Sequence, residues 1–484
     1  MNRILKALIV GTLLVTIGLG LWLCWRILFP AQLNDAAHLE SKHTYLAAVA
    51  ADSRAGRDLP NLVVILFDDL GLGDLSSYGS RVIRTPNIDR IAAAGIRFTN
   101  GYSSSPYCSA SRAGLLTGRH PTRMGFDHVL QPAGTWQDLL LRIGGRNRQL
   151  PGEEITLSEV LRSAGYTTKL VGKWHLGDAP PSLPNDRGFQ SFFGLLYSND
   201  QGRPVVWRDE QIVESHPIDQ STLTSRYTEE AIAFLEQQGS QPFFLFLSHT
   251  FPHVPLHTAE QFRSSSNGGL YGDVVEELDA SVGEVIDTLE RLDQDSETMV
   301  LVTSDNGPWF QGSPAGHRGR KMDVFEGGMR VPFVVYWPGK LSAPRTSESL
   351  VSGLDLFPTF LEFAGLPKPP DRALDGVSLV SLLETGQGEP RETILYSRIR
   401  QLQAWRHGRY KYHDRHGVPY GNPMDWHWGP FVPKGPWLFD LETDPDESYD
   451  ITIRRPEIAQ RLATELDVRR QKWQDNPRGW IDAD

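Results

Sequence analysis

Four groups of chemistry-bearing residues each follow a short apolar run. LVVILF (62–67) ends in Asp68-Asp69, TTKLVG (167–172) in Lys173-Trp174-His175, FFLFL (243–247) leads to His253, and MVLVT (299–303) ends in Ser304-Asp305-Asn306-Gly307. Read as parallel strands, these runs bring their carboxyl ends to one edge of a sheet, which is where open α/β sheets bind ligands. Three carboxylates and an amide gathered there repel one another unless a cation sits among them, and an all-oxygen donor set suits a hard ion such as Ca2+ or Mg2+. A single Asp after a strand commonly caps a turn. The pairing of Asp68-Asp69 with Asp305-Asn306 at separate strand ends is what points to a metal.

Cys108 lies in SSSPYCSASRAGLLTGR, where Ser and Pro give way to a helix-compatible stretch that stops near Thr117-Gly118. At a helix N-terminus the free N–H groups and the positive end of the macrodipole favour a nucleophile and a bound anion, with Arg112 one turn along to add charge. A buried structural cysteine fits the same spacing.

These groups need elements to position them. Another apolar run, FVVYW (333–337), and amphipathic stretches at 156–165, 227–239 and 271–292 alternate with the strands, which predicts a doubly wound α/β domain with a mostly parallel sheet. After Pro390 the pattern changes to short strands and turns, AWRHGRYKYH (404–413) with Gly408 at its turn and WLFDLETDPDE (437–447), which predicts a small C-terminal antiparallel sheet. The expected organisation is an N-terminal segment over 1–26, a linker over 27–58, a catalytic domain over 59–388 and a C-terminal subdomain over 389–484.

Lys+Arg 48 against Asp+Glu 59 gives a formal net charge of −11, which excludes nucleic acid as a partner while leaving room for a local anion site. Arg3 and Lys6 precede the uncharged stretch Ala7–Trp25, which as a helix would span roughly 30 Å. That stretch is read as a membrane anchor, with the chain beyond it exported to the periplasmic face of a bacterial inner membrane; a cleavable signal peptide is the alternative. Cys24 falls inside the stretch, so the exported part holds Cys108 alone and forms no internal disulfide.

Cys108, Ser111, Arg112, Leu115, Thr117, Gly118 and Arg119 stand in register with the signature Cys-x-Pro-Ser-Arg-x-x-Leu-x-Thr-Gly-Arg, alongside KWHLG at 173–177, SDNG at 304–307 and FEGGMR at 325–330. On these residues the chain resembles the sulfatase family of the alkaline phosphatase superfamily, and GLLYSNDQG (194–202) is similar to its arylsulfatase A and galactosamine-6-sulfatase branch. The resemblance implies an alkaline-phosphatase-like fold and hydrolysis of sulfate monoesters, either aryl sulfates or a sulfated small molecule or glycan. It implies that Cys108 is converted to formylglycine and that Asp68, Asp69, Asp305 and Asn306, with the modified Cys108, hold Ca2+ ahead of Mg2+. Arg112 would orient the hydrated aldehyde, Lys173 and Lys321 would neutralise sulfate charge, and Ser198 would add a hydrogen bond to sulfate. His253, with Lys321 as competitor, would protonate the departing oxygen, and His175 would deprotonate the second hydroxyl so that sulfate leaves.

One position departs from the signature: Ala110 stands where the family has proline, which implies a maturase that tolerates Cys-x-Ala-x-Arg, as the radical type does. The alternatives are a phosphonate or phosphate ester hydrolase of the same superfamily and, if Cys108 stays a thiol, a non-catalytic sulfoglycan-binding protein. The loop GNPMDWHWGPFVPKGPW (421–437) offers Trp426 and Trp428 for stacking on a sugar or aryl ring, while His249, His257 and His317 are read as surface or satisfied core histidines.

Overall fold

In the computed structural model, residues 3–28, 35–52, 59–342, 344–388, 391–398, 401–414 and 435–481 are described. The loop bearing Trp426 and Trp428 lies outside them. Ten strands form the main sheet: β1 (Asn61–Phe67), β2 (Ile96–Tyr102), β3 (Thr167–Lys173), β4 (Ser191–Leu195), β5 (Val206–Arg208), β6 (Gln211–Glu214), β7 (Phe243–Ser248), β8 (Thr298–Ser304), β9 (Phe333–Tyr336) and β10 (Arg345–Ser352). Their order is β10-β2-β9-β8-β1-β7-β3-β4-β5-β6. The central strands β8, β1, β7, β3 and β4 are parallel, with Val63 of β1 facing Leu245 on one side and Val300 on the other. Each carries a run of buried apolar residues because both faces of the sheet are covered.

Among the described residues twelve α-helices accompany the strands: α1 (Arg3–Leu28), α2 (Ala36–Ala51), α3 (Pro86–Ala94), α4 (Cys108–Thr117), α5 (Trp136–Ile143), α6 (Leu157–Ser163), α7 (Leu223–Glu236), α8 (Gly269–Arg291), α9 (Glu326–Met329), α10 (Leu356–Phe363), α11 (Val380–Thr385) and α12 (Pro456–Asp475). Alternation along β1 divides the core. Leu62, Val64 and Leu66 pack with α2, α4, α6 and α10, whereas Val63, Ile65 and Phe67 pack with α3, α7 and α8. The doubly wound, mostly parallel sheet predicted from the sequence is therefore present.

One strand differs from expectation. β9, read with the parallel strands, runs antiparallel to both β8 and β2. The chain leaves β8 at the site edge and returns through a loop whose one helix of more than a single turn's span is the four-residue α9, too short for the crossover that parallel pairing requires. The same geometry keeps Lys321 at the edge where Asp305 emerges.

Four strands, β11 (Thr393–Arg398), β12 (Gln401–His407), β13 (Tyr410–His413) and β14 (Trp437–Asp440), form the separate antiparallel sheet, with Gly408 at φ +59° in the β12–β13 turn. α12, which the sequence reading did not anticipate, packs Leu462 and Leu466 on Leu402, Trp405 and Leu438. Against the main sheet the contact is both apolar and ionic. Glu326 accepts from Lys411 Nζ at 2.9 Å and Tyr396 Oη at 3.0 Å, while Glu447 faces Lys411 at 3.0 Å and His413 at 2.8 Å and accepts the Glu326 amide at 2.6 Å. All four side chains are inaccessible to solvent, and burial beside Lys411 keeps His413 neutral, so the glutamates rely on Lys411 for their counter-charge.

At the N-terminus the membrane reading is corrected. Among the described residues no helix is long and apolar enough to cross a membrane. Anchoring through residues 7–25, and the periplasmic placement that depended on it, are set aside. Part of the segment read as a linker is ordered: α2 buries Lys42, Tyr45 and Val49, and Lys42 pairs with Glu159 at 2.6 Å. α2 and the segment beyond α12 meet past the end of α4, where Trp480 stacks on His38 at 3.9 Å between ring centres and lies under the guanidinium of Arg119 at 4.7 Å.

His249 follows β7, stacked on Phe67 and fully buried, and burial pushes its imidazole down to about 3. The unfolded chain takes up a proton near the ordinary value of 6.5 and the folded chain does not, so the contribution of this site is intact above pH 6.5 and lost on descent. The unfolding free energy of wild type, relative to His249→Gln, is expected to fall by about 1.4 kcal/mol per pH unit below pH 6. Denaturant titrations between pH 7 and pH 4 check this, and parallel curves for the two proteins would refute it.

Candidate active site

The carboxyl ends of β1, β3, β7 and β8 place their following residues around the first turn of α4. Asp68 and Asp69 follow β1, and Asp69 takes φ +67°, a left-handed conformation that an L-residue holds only when its surroundings fix it. Asp305 and Asn306 follow β8, with the Asp305 amide donating to the Phe67 carbonyl at 3.1 Å. Cys108 opens α4 as its first residue, and its sulfur is 4.0 Å from Asp69 Oδ1. Lys173 closes β3, and His175 beyond it is held at φ +65°.

Charge pairing organises the centre. Arg112, one turn into α4, donates from Nε to Asp305 Oδ2 at 2.9 Å and from Nη1 to the Lys173 carbonyl at 2.9 Å and to Ser248 Oγ. Lys173 Nζ pairs with Asp68 Oδ2 and donates to Ser198 Oγ at 3.1 Å. Lys321 Nζ sits 2.7 Å from Asp69 Oδ1, and Asn306 Nδ2 donates to the same oxygen at 2.8 Å. His253 donates from Nδ1 to the Val254 carbonyl at 2.6 Å, which turns Nε2 toward Asp69 Oδ2, 3.7 Å away. Burial raises the Asp68 carboxyl, but Lys173, His253 and Arg112 outweigh it and hold the group well below the usual carboxylate range. Burial, reinforced by Asp68, lifts Asp305 to about 7.

The donor set fits a divalent cation. Asp68 Oδ1 and Asn306 Oδ1 are buried oxygens with no hydrogen-bond partner, and ligand atoms of Asp68, Asp69, Cys108 and His253 all lie within 4.8 Å of one another. Orphaned acceptors among carboxylates are what a hard ion satisfies. Cys108 is not a thiolate: burial pushes its thiol up to about 12, so the unmodified side chain is a poor nucleophile at neutral pH.

A cavity of about 490 Å³ opens onto this centre, lined by Asp69, Cys108, His175, Ser198, His253 and Lys321 and walled further out by Gln131, Gln137, Asp200, Gln201 and Trp309. Every site residue singled out in the sequence lines this cavity or lies in the charge-paired cluster beneath it. His249, His257 and His317 do not line it: His249 is core, and His317 donates from Nδ1 to the Pro445 carbonyl at 2.7 Å. Sequence reasoning missed Ser248, which receives the Arg112 guanidinium, and Gln201 with Leu130, which bracket His175. Ser248 had a legible signal, a hydroxyl directly after an apolar run; Gln201 and Leu130 had none.

The sulfatase family model matches residues 60–366, and the N-sulphoglucosamine sulphohydrolase C-terminal model matches residues 319–472. N-acetylgalactosamine-6-sulfatase of Mus musculus is 41% identical over 380 residues, covering 73% of this chain and 72% of that protein. Arylsulfatase A of Homo sapiens is 36% identical over 464 residues, covering 86% and 89%. Of solved structures, the PsFucS1 sulfatase from Pseudoalteromonas sp. superposes with a TM-score of 0.76 at 25% identity, over 93% of this chain and 96% of that one. The phosphonate monoester hydrolase of Agrobacterium radiobacter, at 19% identity and a TM-score of 0.62 over 85% and 96% of the two chains, shares the fold. With its catalytic-sheet residues, its C-terminal unit and relatives of this identity and coverage, the chain belongs to the sulfatase family of sulfuric ester hydrolases.

Proposed function

We propose that this protein hydrolyses the sulfate monoester of an aryl alcohol or a carbohydrate, using a formylglycine formed from Cys108 and a Ca2+ held by Asp68, Asp69, Asp305 and Asn306. The observation that carries this reading is the convergence of Cys108, Lys321, His175 and His253 on one cavity, with Lys173 paired to Asp68 in the cluster beneath it. When present, the hydrated aldehyde supplies an oxygen nucleophile and the cation supplies a Lewis acid toward a sulfate oxygen.

The remaining work falls to side chains whose positions are fixed. Lys173, Lys321 and Ser198 bind the sulfate oxygens, and because their ammonium groups are already in place no reorganisation accompanies the shift of charge toward the leaving oxygen. Arg112, bound to Asp305, Ser248 and the Lys173 carbonyl, orients residue 108. His253 faces the departing oxygen through Nε2 and serves as its acid in the imidazolium form, since Nδ1 is already committed as the donor to the Val254 carbonyl. His175 acts as the base: burial, then Lys173 and Arg112, hold its imidazole well below the ordinary value, so at neutral pH it is unprotonated and able to accept a proton from residue 108 as sulfate leaves. In this scheme residues 59–388 carry the chemistry and 389–484 brace the Lys321 loop.

Ala110 is compatible with the same fold. It is the third residue of α4, where the amide has no acceptor inside the helix, so alanine and proline both fit the folded chain. The exchange therefore bears on recognition by the maturase, and we assign that role to an enzyme that accepts Cys-x-Ala-x-Arg.

The tryptic peptide Phe98–Arg112 from protein made in its native host is expected to be lighter than its thiol form by the cysteine-to-formylglycine difference and to react with a hydrazide. Such protein should turn over aryl sulfate in preference to aryl phosphate, and Lys321→Ala should lower kcat/KM on aryl sulfate by about two orders of magnitude. Unmodified thiol with binding but no turnover would establish the sulfoglycan-binding alternative, and faster turnover of aryl phosphate would establish the phosphate-ester alternative. For the cation, chelation is expected to lower the thermal midpoint and Ca2+ to restore it more fully than Mg2+, with the response lost in Asp68→Asn; an unchanged midpoint in all three would remove the metal from the scheme.

A further inference from the structure

His175 can act as a base only through a nitrogen that carries a lone pair, and a neutral imidazole has one such nitrogen and one N–H. Its Nε2 lies 3.2 Å from the Leu130 carbonyl oxygen, an acceptor only. The proton must therefore reside on Nε2, and Nδ1, buried and without a hydrogen-bond partner, keeps the lone pair. Which nitrogen is basic is thus decided by where the Leu130 carbonyl points.

Nothing regular holds that carbonyl. Residues 126–132 form neither helix nor strand. Three contacts fix Leu130 instead: its amide donates to Ser109 Oγ at 3.0 Å, and its oxygen accepts from His175 and from Gln201 Nε2, the latter at 2.7 Å. Gln201 is in turn held at its other end, because Oε1 accepts the Ser198 amide at 3.1 Å while the Gln201 amide donates to the Ser198 carbonyl at 3.1 Å. One side-chain amide therefore ties the loop that faces His175 to the loop that presents Ser198, and Ser109 ties the same point to the turn of α4 that carries Cys108.

We propose that Gln201 is a positioning residue: by holding the Leu130 carbonyl against His175 Nε2 it locks the Nε2–H tautomer, so that Nδ1 is the base in the sulfate-releasing step. Gln201 also lines the cavity, yet both ends of its amide are committed to the protein, which suits alignment better than substrate recognition. Outer-shell partners of this kind, which fix a ring nitrogen through its far side, commonly contribute about ten- to a hundredfold in activity.

The role of His175 in turnover rests on the sulfatase reading, whereas its tautomer does not, so the test reads the two separately. Full-length protein carrying the Cys108 thiol, labelled with 15N at histidine, is examined by long-range 15N–1H correlation at pH 7.5, with His175 identified by its loss in His175→Asn. Wild type is expected to show the Nε2–H pattern alone. Gln201→Met, which cannot donate to Leu130, is expected to show a mixture or the Nδ1–H pattern; Gln201→Glu keeps the volume and the acceptor for the Ser198 amide but offers no N–H, and serves if the methionine variant does not fold. In matured protein the same variants should lower kcat on aryl sulfate about tenfold with KM nearly unchanged. A variant that retains the pure Nε2–H pattern overturns the proposal whatever its kcat, as does a wild-type Nδ1–H pattern. A variant with a changed tautomer and unchanged kcat overturns the catalytic half. Wild-type matured protein that turns over no sulfate ester would instead overturn the function, with the tautomer result standing.

Discussion

Burying charge at the ends of four strands is the constraint on which this structure turns. Asp68, Asp69 and Asp305 face Lys173, Lys321 and Arg112, six formal charges removed from water in one small volume. Three negative and three positive groups offset one another only if each pair is correctly placed, because a buried charge that loses its partner costs several kcal/mol. The elements are arranged accordingly. Parallel register brings β1, β3 and β8 to one edge, left-handed backbone at Asp69 turns its carboxylate toward Lys321, and α4 delivers a guanidinium that reaches three of the strand ends at once.

Lys321 is the partner that no strand carries, and its placement needs a second layer of support. Its loop is packed against α9 through backbone alone: a Cβ at Gly327 would meet the Gly319 carbonyl oxygen at 2.2 Å, and one at Gly328 would meet the Asp323 carbonyl oxygen at 2.1 Å. Gly307, directly after Asn306, donates its amide to the Gly328 carbonyl at 3.0 Å. The Glu-Gly-Gly turn thus joins the Asp305-Asn306 loop to the Lys321 loop at a spacing that side chains would prohibit. The C-terminal sheet fixes the turn in its place, since Glu447 accepts the Glu326 amide while Lys411 bridges the two glutamates. The antiparallel course of β9 belongs to the same arrangement, because it returns the chain from the site edge without a crossover.

How much of this was legible follows from what each signal encodes. Strand ends could be read because an apolar run that stops at Asp-Asp or Asp-Asn marks both an element and its terminus, and the mostly parallel sheet followed from runs buried on both faces. Direction could not: FVVYW reads the same whichever way β9 points. α2 was taken for linker because one of its three buried positions is Lys42, whose charge disguises the stripe that Tyr45 and Val49 complete. Lys321 sits in irregular chain and was found through resemblance alone, and Gln201 acts through a backbone carbonyl, which no residue pattern announces. The N-terminal apolar run misled for the opposite reason, since absence of charge was read as a membrane span where no helix of the described residues is long and apolar enough to be one.

The stacking of Trp480 between His38 and Arg119 bears on time as well as on shape. Arg119 ends the signature that begins at Cys108, and its guanidinium is capped by the Arg478 carbonyl, a residue 359 positions later in the chain. A contact across so long a stretch of chain pays a large loop-closure cost before it forms. The segment from Cys108 to Arg119 is thus held at its far end by chain distant in sequence, while Cys108 at its near end is enclosed among the strand-end residues. The seal at Arg119 is therefore one of the non-local contacts that the chain closes only after its nearer elements have paired.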